Sequence, residues 1–226
     1  MNGIWRSANY AFAPNYLKYC GPDKNRELAG YLTQSVVDAG LKSMLEKFEA
    51  MHPYLKLIAQ ENGLGDEFDE RVVEAYWLGN NLLDQVSPAG FYRHVKPRLP
   101  LKDLKWFEAK LPAGAKPNHQ FHVLNFIIRT GHRQVKHTVE TMDNCRISWG
   151  KVLPGGKVKT NRLIYQNGKL SLTPGVKEVK NLVKDFKAGD LVTLHWGWIC
   201  EKINRQQAEN LQKYTNLALR LANQTL

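Results

Sequence analysis

The stretch Gly189-Asp-Leu-Val-Thr-Leu-His-Trp-Gly-Trp-Ile-Cys-Glu-Lys-Ile-Asn204 governs the reading of the C-terminal half. Its alternation predicts a strand that ends in His195, Trp196, Trp198 and Cys200. Asn204 and Gln207 then form the signature of a capping box opening a closing helix, whose stripe is Ala208, Leu211, Tyr214, Ala218 and Leu221. Upstream, Asn144-Cys-Arg-Ile-Ser-Trp-Gly-Lys-Val152 reads as a second strand, opening on Cys145. Turn signals at Pro154-Gly-Gly156, Gln166-Asn-Gly168, Thr173-Pro-Gly175 and Lys187-Ala-Gly189 punctuate the residues between them. Short strands at such spacing predict a small antiparallel barrel, with Asn167-Gly168 as a tight hairpin.

Further out, the first half reads helical. Residues 27–51 and 53–62 carry apolar positions at helical spacing, and Gly63 and Gly65 supply a stop. Residues 66–86 give the clearest helix, capped by Asp66 or Asp69, with Val72, Val73, Tyr76, Trp77 and Leu83 on one stripe. A short helix is expected over residues 101–110. Residues 111–118, small and bracketed by Pro112 and Pro117, read as a linker. Residues 119–128 alternate like a strand, and residues 135–142 suit a short helix. The expected fold is α+β: a helical domain over residues 1–112, and a barrel domain with a C-terminal helix over residues 113–226.

Composition sets the class. The chain has 226 residues, 43% hydrophobic and 10% aromatic, enough for sizeable cores. There is no run long and apolar enough to span a membrane, and the first residues lack a signal-peptide core, so a cytoplasmic protein is expected. Three cysteines (Cys20, Cys145, Cys200) suit reduced thiols or thiolate ligands better than a disulfide framework. The net charge of +11 is dispersed among apolar residues and accompanied by no nucleic-acid-binding motif. An acidic protein partner steered by the field is the expectation, rather than nucleic acid. Phosphate-loop, dinucleotide-fold, nucleophile-elbow and zincin sequences are all missing.

The candidate site residues each have a plain alternative. Cys145 and His195 pair a thiol with an imidazole, donors that suit iron or zinc; otherwise they are a buried cysteine and a surface histidine. Strict alternation puts them on unlike faces, so they meet only if Cys145 precedes its strand or the chain turns near Gly197. His119 and His122, with Trp196, are candidates for holding a cofactor. On a strand the two histidines would face opposite ways, and they converge only if the segment starts as a loop. His132 and His137 sit among arginines and read as solvated. Cys20, in Tyr19-Cys-Gly-Pro22, reads as a structural turn with some nucleophile character. Trp198 and Cys200 read as core. Asn80 and Glu74 interrupt the helix stripe, as substrate ligands or as partners of buried backbone.

The segment from Cys145 to Val152, with Gly189-Asp-Leu-Val-Thr-Leu-His195 and the following Lys202-Ile203, resembles the hydrogenase assembly chaperones HypC/HupF. Those open on Cys-x-x-x-Pro-Gly-x-Val and close on Gly-Asp-x-Val-x-Val-His. Their proline is Trp149 here, and their N-terminal cysteine is the internal Cys145. The resemblance implies a HypC-like barrel in which Cys145 and His195 carry iron, and a client metalloenzyme or second maturation protein as partner. The whole chain, through Ala13 to Pro22 and His195 to Cys200, also resembles an uncharacterised bacterial family. The functional expectation is thus a metallocentre-assembly chaperone rather than an enzyme. The alternative is a metal- or cofactor-dependent enzyme with its site between the two halves.

Overall fold

A computed structural model describes residues 2–131, 135–182 and 186–226; His132 lies outside the described residues. Eight helices come first: α1 (Gly3–Tyr16), α2 (Asn25–Gln34), α3 (Ala39–Leu45), α4 (Met51–Glu61), α5 (Glu70–Trp77), α6 (Leu82–Gln85), α7 (Pro88–Val95) and α8 (Leu101–Lys110). Capping side chains fix several starts. Asn2 accepts from Trp5 N, Asp69 from Arg71 N, and Ser87, followed by Pro88, from Gly90 N. The helix expected over residues 66–86 is two helices, because Gly79 takes a φ of 87° and the chain turns there. Asn80 serves that turn: its amide donates to the Arg71 carbonyl and its oxygen accepts from Leu82 N.

The strand expected over residues 119–128 is helical. It runs as α9 (His119–Phe121), a π-helical stretch (His122–Ile127) and α10 (Ile128–Thr130). Asn118 caps it by accepting from Phe121 N. Residues 119–121 and 123–126 are all buried, so the segment faces the interior on every side and shows no helical period. A short, fully buried run reads alike as strand or helix. Residues 111–118 are held in place rather than slack. Arg220 donates to the Ala113 carbonyl, and Lys116 pairs with Asp84.

Next come α11 (Val139–Cys145), β1 (Ser148–Leu153), β2 (Lys157–Gln166), β3 (Lys169–Glu178), β4 (Leu191–His195), β5 (Trp198–Lys202) and α12 (Arg205–Ala222). Three expectations hold: Asn167-Gly168 turns β2 into β3 at φ values of 53° and 74°, Asn204 and Gln207 form the capping box of α12, and the chain closes on that helix. Two change. Thr173-Pro-Gly175 is no turn but lies inside β3, with Pro174 opposite Asn161. β3 is an edge strand, where a missing N–H costs no ladder bond. The Gly189–Asn204 stretch is also not one strand: β4 and β5 form a hairpin, with His195 opposite Trp198.

The sheet is antiparallel and open, in the order β3-β2-β1-β4-β5. The closed barrel is therefore not formed. Among the described residues only an isolated bridge, Lys180 to Trp198, links the chain beyond β3 to β5. Instead of closing on itself, the sheet is covered by helices: α1 lies on β4 and β5, and α12 on β3. One hydrophobic core runs from Ala8 and Tyr10 through Val73 and Tyr76 to Ile147, Cys200 and Leu211, joining the helical half to the sheet. No described helix is long and apolar enough to cross a membrane.

Candidate metal centre

His119, Cys145 and His195 converge. All three are buried, and one ligand atom from each lies within 4.8 Å of the others. They come from three different elements: the first turn of α9, the last residue of α11 and the last residue of β4. The sequence condition for Cys145 to meet His195 is satisfied twice over. Cys145 precedes its strand, ending a helix rather than opening β1, and the chain turns directly after His195. Trp196 and Gly197, at φ values of 50° and 79°, are the two residues of that tight hairpin. Trp196 N donates to the Asn144 carbonyl at 2.7 Å, which ties the hairpin tip to the residue beside Cys145.

The hydrogen bonds define the imidazoles. His195 Nδ1 is 2.7 Å from the Tyr10 carbonyl, which can only accept, so Nδ1 carries the proton and Nε2 a lone pair. That Nε2 is buried and makes no hydrogen bond. Burial pushes the His195 pKa down to about 4, against a small opposing pull from the Tyr10 and Cys145 carbonyls, so the ring is neutral at neutral pH. His119 Nε2 faces the Cys145 carbonyl at 2.9 Å and its Nδ1 faces the Tyr76 hydroxyl at 3.2 Å. By the same rule the Nε2 that faces a carbonyl carries the proton and Nδ1 accepts from the Tyr76 hydroxyl, so His119 offers a metal a lone pair only on giving up one of these two bonds. Burial, reinforced by the nearby Cys20 thiol, pushes the Cys145 thiol well above its ordinary range; the Trp196 indole, bonded to the thiol, pulls the other way. A metal would have to displace that proton.

Two buried ionic networks hold the three residues. On one side Arg6 is 3.2 Å from Glu201 and 3.1 Å from Glu74. The Tyr10 hydroxyl donates to Glu201 and meets Thr193 Oγ1, so α1 is locked to β4 and β5 and its Tyr10 carbonyl is fixed over His195. On the other side Asp143 accepts from Arg146 at 2.7 Å, Lys177 at 2.8 Å and Leu163 N at 2.8 Å, clamping the end of α11 onto β2 and β3. Glu74 is thus a structural anion, also accepting from Gln207. Aromatic rings line the centre. Trp77 lies 4.7 Å from the His119 ring and 5.7 Å from the His195 ring, stacks on Tyr10 at 4.8 Å, and has a buried indole N–H without an acceptor.

The remaining candidates distribute as follows. Trp196 joins the centre through Cys145. His122 does not: it opens the π-helical stretch, and its Nδ1 meets the Tyr54 hydroxyl at 3.4 Å. His137 is half-buried, and burial lowers its pKa. Cys200 is core, and Trp198 packs edge-on against Phe12. Cys20 is half-buried at the core's edge. Tyr10, Tyr76 and Trp77 were missed as site residues, because an aromatic on a helix stripe gives the same signal whether it packs or also orients a histidine.

A family model, described as "Family of unknown function (DUF6390)", matches residues 1–226. The chain belongs to that family. This overturns the HypC/HupF resemblance, since the matching pattern runs through the helical half as well as the sheet. The structure gives the physical reason: Cys145 ends a helix, the strand starts at Ser148 and the sheet is open, so the two short motifs lie in another setting. The iron cargo and hydrogenase client lose the support that resemblance gave. A curated protein of Plasmodium falciparum (isolate 3D7), named "Putative tRNA-specific 2-thiouridylase", is 26% identical over 152 residues, covering 56% of this chain and 14% of that protein. The chain thus spans about a seventh of that relative. No solved structure matches.

Proposed function

We propose that this is a metal-binding protein that holds one transition-metal ion on His119, Cys145 and His195, zinc by preference. The observation that carries the reading is the His195 Nε2 lone pair, buried, neutral and unpartnered, within 4.8 Å of a thiol and a second imidazole. A buried acceptor left unmade costs about 1–3 kcal/mol, a cost that a coordinated ion removes. Two imidazoles and a thiolate match zinc in donor type, and ferrous iron is the second choice. The partner of one ligand fits too: metal-bound histidines characteristically hold a carbonyl or hydroxyl through their other nitrogen, as His195 does with Tyr10.

Burial on all sides suits an ion that ties α9, α11 and β4 together rather than one handed on. The charge of +11 supports docking of an acidic partner protein at the surface. A metal-dependent enzyme is the second reading, supported by the ligand count: three protein ligands leave one position open on a tetrahedral ion. Metal analysis of purified protein tests the main reading, with one zinc per chain expected. Protein that stays metal-free and gains no thermal stability from added zinc would sink it. Azide or thiocyanate added to cobalt-substituted protein tests the second: an open position changes the visible spectrum, a closed one does not.

A further inference from the structure

We infer that a cleft between α8, the π-helical stretch and the end of α12 binds a nucleoside monophosphate whose base carries an exocyclic amine. The cleft encloses about 540 Å³, within the size range of small-molecule sites. Lys102, Asp103 and Trp106 line it from α8, Asn125 from the π-helical stretch, Arg129 from α10 and Ala222 from the end of α12. None of these residues belongs to the His119–Cys145–His195 cluster, so the inference stands apart from the metal reading.

Asn125 is the residue that points to a ligand. It is fully buried, and its amide nitrogen donates to the Ala218 carbonyl at 3.0 Å. A carbonyl only accepts, so the side-chain amide cannot be reversed. Its Oδ1 is therefore fixed as an acceptor, buried and without a hydrogen-bond partner. An acceptor left unmade costs about 1–3 kcal/mol, which an incoming N–H donor offsets. The backbone around it is unusual as well: π-helical turns are rare and concentrate at functional sites.

The other lining groups complete the match. The Arg129 guanidinium lies 4.3 Å from the centre of the Trp106 ring. The indole is itself held, its Nε1 donating to Thr225 Oγ1 at 3.2 Å and its ring meeting Phe126 edge-on at 5.8 Å. An aromatic ring with a stacked guanidinium is a platform for a flat base. A guanidinium stacked through its face still donates through its edge, so Arg129 also serves an anion. Lys102 and Arg129 are both exposed and form no ion pair among the described residues, which leaves two cations for a phosphate. The Asp103 carboxylate accepts from ribose hydroxyls. The acceptor Asn125 Oδ1 takes the exocyclic amine.

Calorimetric titration of the full chain with AMP, GMP and CMP tests this, with ribose 5-phosphate and adenosine as controls. At least one of the three nucleotides is expected to bind once per chain, and more tightly than either control. Arg129→Ala, at an exposed position, should weaken that nucleotide at least about tenfold, the scale of one hydrogen bond to a charged group. Asn125→Ala should weaken the nucleotide while leaving ribose 5-phosphate unchanged. Should that buried variant fail to fold, nitrogen-15 NMR of the wild type still locates the ligand: the indole signal missing from Trp106→Phe should move on nucleotide addition. Three nucleotides that fail to bind at millimolar concentration overturn the inference. So does a bound nucleotide that leaves the Trp106 signal unmoved, or an affinity equal in Arg129→Ala and wild type. Ribose 5-phosphate binding as tightly as the nucleotides overturns recognition of the base.

Discussion

Among the described residues, two places bring metal-ligand side chains within reach of each other: His119, Cys145 and His195 inside, and Glu46, His52 and Glu67 near the surface. The surface group is already satisfied. His52 Nε2 meets Glu67 at 3.1 Å, and its ring stacks on Phe68. The Glu67 carboxylate sits below its usual range: partial burial opposes this, but the His52 hydrogen bond and the nearby Lys42 outweigh it. In the inner group the His195 Nε2 is buried and has no hydrogen-bond partner within bonding geometry. Donor spacing alone does not make a metal site. The difference lies in whether the fold leaves a donor unsatisfied in a place where an ion outperforms water.

The largest effect that could break this contrast is zinc-dependent stability. At free zinc a thousand times its dissociation constant, a single site adds about 4 kcal/mol to the folded state. Denaturant melts of wild type with and without zinc should show that gain, and Cys145→Ala should abolish it. The same melts on His52→Ala should retain it in full, and a gain lost there instead would reverse the assignment.

Next is the support behind His195. Glu201→Gln removes the buried one of the two carboxylates paired with Arg6 and should cost about 3 kcal/mol. By loosening Tyr10 it should also weaken zinc binding, read by calorimetry. Unchanged zinc affinity in a destabilised protein would separate the network from the centre.

A smaller effect is set by pH in the metal-free protein. His195 titrates at about 4 when folded, against an ordinary 6.5. Between those values the unfolded chain binds the extra proton, so acid favours unfolding. His195's contribution is complete above about pH 6.5, falls as pH drops, and is spent near pH 4. Between pH 6.5 and 5 it should amount to about 2 kcal/mol. Urea midpoints across that range should flatten in His195→Gln. His52→Ala, in the outer group, should leave that pH dependence unchanged.

How much of this was legible beforehand varies by element. Asn204 with Gln207 and Asn167-Gly168 work through contacts within a few residues, so their outcomes followed from local chemistry alone. The segment from His119 to Ile127 did not, because burial on every side removes the periodicity that separates helix from strand. Cys145 and His195 were legible as soft donors in the right half of the chain. Their encounter was not, since it depends on where a helix ends and a hairpin turns. Pro174 misled for a related reason: a proline at a sheet edge and one in a turn look the same until the strand order is known.

The sequence by itself determined the α+β composition, the caps and hairpin, the closing helix and the types of donor available, all properties of side chains and near neighbours. Tertiary structure alone decided that the sheet stays open under α1 and α12, that His119 joins Cys145 and His195 while His122 turns away, and that Tyr10, Tyr76 and Trp77 surround them. The reason is physical. Hydrogen bonding within a few residues is encoded locally, whereas burial, and with it the neutral imidazole of His195, arises only when distant segments exclude water together.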